Sequence, residues 1–95
     1  MTGDTIIEKE MGITHDEFFR NIARVLDDYQ QSDSGVIVED AGRTINISFG
    51  AEGERRIALM RIPITPVTLT FSGYAEAEIS EFLTTFDSIF RRGGG

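Results

Sequence analysis

The sequence predicts an α+β fold: a two-layer sandwich in which a four-stranded antiparallel meander is flanked by an N-terminal and a C-terminal helix, both packed on one sheet face. Two observations carry this. Segments near the two ends repeat apolar residues at helical spacing, and the stretch between them alternates apolar and polar residues between short glycine-containing loops. A sheet with one apolar face and two helices with apolar stripes bury each other in two layers. The expected order is α-β-β-β-β-α. Residues 1–13 form an N-terminal arm or a short edge strand, residues 14–92 a single domain, and residues 93–95 a flexible glycine tail.

The first helix starts sharply. Thr14 to Glu17 fit a capping box, in which the threonine hydroxyl accepts from the glutamate amide and the glutamate carboxylate reaches back. Ile13 and Phe18 stand at the hydrophobic-staple positions around it. Phe18, Ile22, Val25, Leu26 and Tyr29 continue the apolar stripe, giving roughly four turns that end near the QQSDSG segment. In the β region, Val36 and Val38 share a face, and Asp40 to Arg43 form a turn in which Gly42 is free to take positive φ. Ile45, Ile47 and Phe49 then face inward against Thr44, Asn46 and Ser48. The RRIALMRI segment, residues 55–62, reads as a third strand that is apolar on both faces. Pro63 and Pro66 bracket a bend, because proline donates nothing to a central ladder. Val67, Leu69 and Phe71 give the fourth strand its inward face. Ile79, Phe82, Leu83, Phe86, Ile89 and Phe90 form one wide stripe on the last helix. Its early glutamates and late arginines suit the helix dipole.

Composition removes several classes of function. The chain has 95 residues, no cysteine and one histidine, so zinc–thiolate sites, cysteine nucleophiles and histidine clusters are unavailable. A net charge of −7 opposes phosphate backbones and anionic lipids, so neither nucleic acid nor membrane is an expected partner. A basic protein partner would suit it. No apolar run is long enough to span a bilayer, and the N-terminus lacks the basic and apolar regions of a signal peptide, which makes cytoplasm the expected compartment.

The outer sheet face, carrying Thr44, Asn46, Ser48, Thr68 and Thr70, can sit in water. The third strand breaks that pattern. If Ile57 and Leu59 face the helices, Ala58, Met60 and Ile62 point outward near Ile37; the opposite register exposes Ile57 and Leu59 instead. The uncovered apolar surface is either tolerated or covered by residues 1–13, or it is a self-association surface, for which a twofold dimer is the expected form. Arg55 and Arg56, with Arg43 or Arg61, offer a cationic spot for a carboxylate, though pairing with Glu52 or Glu54 competes.

No nucleophile, base and orienting group can be assembled, so no catalytic, cofactor or metal residue is assigned. His15 falls at the first helical position and is expected in solvent. Gly93, Gly94 and Gly95 look like the tail of a glycine-ended carrier. The ubiquitin-like family, however, places such a tail after a strand, whereas here it follows a helix, where one glycine serves as a cap. In size, acidity and element order the chain resembles bacterial secretion chaperones, which wrap a client segment around their surface; that likeness implies a client-binding role. The sequence therefore points to a small acidic interaction or adaptor domain without catalytic activity, forming a homodimer. A client-binding chaperone and a C-terminal-glycine carrier are the alternatives.

Overall fold

The computed structural model describes residues 4–93, and along them lie β1 (Thr5–Met11), α1 (His15–Val25), β2 (Gln30–Ser32), β3 (Gly35–Asp40), β4 (Arg43–Phe49), β5 (Gly53–Ile57), β6 (Met60–Ser72) and α2 (Glu76–Gly93). The class is α+β with an antiparallel sheet and a helix towards each end, as the periodicity predicts. The sheet has six strands rather than four. Five of them run in the order β1-β6-β4-β3-β2, and β5 pairs with β6 alone. No helix among the described residues is long and apolar enough to cross a membrane.

Each additional strand has a physical origin. Thr5 to Met11 alternate, so Ile7 and Met11 pack against the core while Ile6, Glu8 and Glu10 face away, and the segment zips onto β6 from Thr5–Phe71 to Met11–Thr65. Within the segment expected as an arm or short edge strand, Thr5–Met11 form a strand at the edge of the sheet. β2 takes residues expected at the end of the first helix. That helix has only 11 residues, because Leu26 is already extended at φ −119° and ψ 137°. Asp27 and Asp28 follow, poor helix formers whose charge would oppose the negative end of the dipole. Leu26 and Tyr29 still reach the core from extended backbone, so their spacing indicates burial and not helix.

The remaining difference lies in residues 55–62. They are not one strand. β5 ends at Ile57, a two-residue turn of Ala58 and Leu59 reverses the chain, and β6 begins at Met60. Ala58 takes φ 56°, the positive value that short hairpin turns need and that a turn glycine usually supplies. β6 then continues through both prolines as one strand of 13 residues, so neither separates two strands. Pro66 spends its carbonyl on the Gly50 amide instead.

The core lies between the sheet and both helices. Val36, Ile45, Ile47, Phe49, Val67, Leu69 and Phe71 supply the sheet side, and Phe18, Ile22, Ile79, Phe86 and Phe90 the helix side. The capping box forms as predicted, with Thr14 N donating to Glu17 Oε1 at 2.9 Å and Glu17 N to Thr14 Oγ1 at 3.2 Å. The phenylalanines knit the layers, with ring centroids 5.0 Å apart for Phe18 and Phe49 and 5.8 Å for Phe18 and Phe90. Thr65 is fully buried and donates to the Ile13 carbonyl at 2.7 Å, fixing the loop between β1 and α1 to the centre of β6.

Gly93 is the last residue of α2. Gly94 and Gly95, the rest of the expected tail, lie outside the described residues.

Candidate interaction surface

β4 and β5 lie end to end along the same edge of β6. Phe49 stands opposite Val67 and Gly53 opposite Ile64, so Gly50, Ala51 and Glu52 face only Thr65 and Pro66. One extra residue is what a β-bulge inserts: it bends the ribbon and shifts the alternation by one. Before it, the odd-numbered residues Ile45, Ile47 and Phe49 point into the core. After it, Arg55 and Ile57 point to the outer face.

Past this bulge the hairpin leaves the body. β1 stops pairing at Thr65, so residues 53–64 form a two-stranded arm with no third strand. Every residue from Gly50 to Arg61 is exposed. At about 3.3 Å per residue the arm reaches roughly 16 Å beyond Thr65, the last residue that β1 pairs. The molecule measures 49 × 22 × 21 Å, and its radius of gyration of 13.9 Å exceeds the roughly 12.4 Å of a compact domain of this length.

Apolar side chains end the arm. Leu59 is 101% exposed, Met60 64% and Ile57 52%. Residues paired in register share a face, so Ile57 with Met60, Arg55 with Ile62 and Gly53 with Ile64 make one side of the ribbon. This is the outer side of the sheet, because Arg55 approaches Glu10 at 3.6 Å there. Arg56 and Arg61 lie on the other side, where Arg61 meets Glu54 at 4.0 Å.

These positions sort the residues singled out from the sequence. Met60, Ile62 and Arg55 come together on the arm, and Ile57 joins them because the hairpin turn and the bulge bring it to the same face. Ala58 is a turn residue and belongs to neither face. Ile37 is on the outer sheet face, but in the row of Thr70, eight residues along β6 from Ile62 and about 26 Å away. It is therefore not beside the arm of its own chain. Arg43 is not near Arg55 either. It donates to Asp40 at 2.9 Å and to Glu78 at 2.6 Å, and its guanidinium stacks 4.7 Å above Tyr74. Those bonds, that to Asp40 first, hold the guanidinium protonated beyond its ordinary range. Glu78 accepts from the Ala75 amide at the start of α2 and then from Arg43, which keeps its carboxyl below the usual carboxylate range.

His15 departs from the expected solvent position. It is half-buried: its ring lies 4.2 Å from that of Phe49, its Nε2 is 2.8 Å from the Gly50 carbonyl, and its backbone amide donates to Glu52 Oε1 at 2.7 Å. The first residue of α1 thus holds both ends of the bulge from which the arm departs. Sequence reasoning missed the arm because the turn contains no glycine, asparagine or proline. The signal present was the length of apolar alternation from Met60 to Phe71, too long for two strands separated by a bend.

The rest of the outer sheet face is polar and acidic. One row across it reads Ile6, Thr70, Asn46, Ile37, with Ile6 63% and Ile37 37% exposed. Glu8 and Glu39 flank that row. A hollow of about 240 Å³ lies beside Gly35, bounded by Ile37, Asn46, Ser48 and Thr70. No group of three or more potential metal ligands occurs among the described residues. No family model, curated protein or solved structure matches the chain.

Proposed function

We propose that this chain is a non-catalytic interaction module, an adaptor whose contact surface is the β5–β6 arm. The observation that carries this reading is the exposed apolar tip. A two-stranded ribbon is marginal by itself, and Ile57, Leu59 and Met60 gain nothing from water, so their burial against a partner is the source of stability open to them. Exposed apolar groups gathered at one projecting feature mark contact sites. The sole histidine supports the same reading, because it is occupied in holding the base of the arm.

The test uses the absence of cysteine in the chain. A Leu59→Cys variant carries an environment-sensitive fluorophore at the tip, which is exposed enough to be changed without touching the core. The expected result is a blue shift and slower tumbling on adding either more unlabelled chain or an extract of its native cells. Unlabelled Met60→Asp chain added in place of wild type should give a much smaller shift. A tip that stays in a water-like environment under both conditions refutes the proposal.

A further inference from the structure

Granting that reading of the arm, we infer that its partner is a second copy of this chain. The two copies meet face to face about a twofold axis, so that Ile57 and Met60 of each arm settle on the Ile6–Thr70–Asn46–Ile37 row of the other. Charge is the first argument. Residues 53–64 carry +2 and the rest of the chain −9, and Arg55 is the charge on the docking side of the arm, with Arg56, Arg61 and Glu54 on the other. Glu8 and Glu39 flank the receiving row, and the strand positions of the outer sheet face beyond the arm hold no lysine or arginine among the described residues. The docking side of the arm, positive at Arg55, thus complements the acidic face of another copy, while its apolar end lies too far along β6 to reach the receiving row of its own chain.

Placement is the second argument. The apolar side of the arm and the receiving row lie on the same face of β6, ten residues apart between Met60 and Thr70. An axis across the strands near Thr65 therefore satisfies both contacts at once, the self-complementary condition a twofold interface demands. Ile57, on the β4 side of β6, then comes over Asn46 beside Ile37, and Met60 over Thr70. The hollow at Gly35 gives a tip side chain room to enter. Had the bulge not shifted the alternation, Arg56 would occupy the docking side in place of Ile57.

Area is the third. The chain exposes 6408 Å², whereas a compact monomer of 10.6 kDa exposes about 5,500 Å². The excess, roughly 900 Å², is close to the 800 Å² that each partner contributes to a stable interface of standard size.

The experiment has two readings. Light scattering on the purified full chain should give twice 10.6 kDa, and Met60→Asp should weaken the dimer on the order of 30-fold or more, as truncating an interface anchor does. Far-UV circular dichroism should be unchanged, which separates lost contact from lost fold. Cysteine pairs then test the arrangement. Met60 and Thr70 are about 33 Å apart within one chain, too far for a disulfide. Mixing Met60→Cys chains with Thr70→Cys chains under mild oxidant should give a covalent dimer, and Met60→Cys alone should not. A monomer at about 100 µM, above the micromolar dissociation constants of such interfaces, overturns the inference. So does Met60→Cys linking only to itself. If the labelled tip responds to extract but not to purified chain, this inference fails while the arm remains a contact for another protein.

Discussion

Gly35 opens β3 opposite Ser48, and replacing it with alanine is the sharpest test of the packing in the sheet. The added Cβ would lie 2.0 Å from the Ile47 carbonyl oxygen and 2.8 Å from the Ser48 Cα. Carbon and oxygen do not ordinarily approach within about 3.3 Å, so the overlap exceeds 1 Å. Both obstructing atoms are backbone of the neighbouring strand, and no rotamer change relieves them. Overpacking costs about 1–3 kcal/mol where side chains can shift, so about 3 kcal/mol or more is expected here. A domain of this length has about 5–14 kcal/mol in total, and the midpoint of thermal unfolding should fall by roughly 12–24 °C. Gly42→Ala is the control. It meets nothing within 4 Å and carries only the strain of φ 82°, worth about 1–2 kcal/mol. Urea unfolding of both variants decides the matter. A Gly35→Ala loss below about 1 kcal/mol, or below that of Gly42→Ala, refutes the placement of β3 against β4.

Phe86, fully buried between Phe82 and Phe90, should lose about 3–5 kcal/mol on truncation to alanine, measured by the same unfolding curves. Thr65→Val keeps the shape but strands the Ile13 carbonyl, and a loss of about 1–3 kcal/mol is expected; an unchanged midpoint would show that the bond contributes nothing. Glu78 has a folded pKa below 4.5, so its contribution to stability is fully present above that value and disappears as pH falls through the depressed one. Melting curves of wild type and Glu78→Gln should therefore differ near neutrality and converge in acid; a gap that widens below pH 4.5 reverses the sign. His15→Ala keeps the backbone bond to Glu52 but removes the ring's contacts with the Gly50 carbonyl and Phe49, so it should leave the core intact yet speed amide exchange in Gly53 to Ile57.

Local chemistry was what the sequence made legible. The capping box at Thr14, the alternation of β4 and the stripe of α2 each follow from neighbours within a few residues, and each is where it was expected. Three features escaped because the apolar spacing and the turn residues alone did not decide them. Leu26 and Tyr29 sit at helical spacing but are buried from extended chain, since Asp27 and Asp28 end the helix first. Pro63 and Pro66 looked like breakers, yet a strand accepts proline where no ladder amide is required. Ala58 turns a hairpin that glycine would have announced. The candidate surface was half visible: the apolar excess of residues 55–62 was plain, but its projection away from the body depends on where β1 stops and on one extra residue near Ala51.

β6 belongs to two environments at once, and local stability must fall along it. Its second half is clamped between β1 and β4 under the core, while its first half pairs with β5 alone, with Gly12 beside Ile62 and open water beyond it towards Met60. In amide exchange, Leu69 and Phe71 should report global unfolding, and Arg61 and Ile62 the cheap opening of a ribbon. Arg55, Arg56 and Arg61 place trypsin sites at that weak end, so a folded chain should be nicked there first, the two pieces staying together through the sheet. Partner binding would level this gradient from the tip inward. Protease resistance at three arginines is then a direct gauge of how much of the arm is occupied.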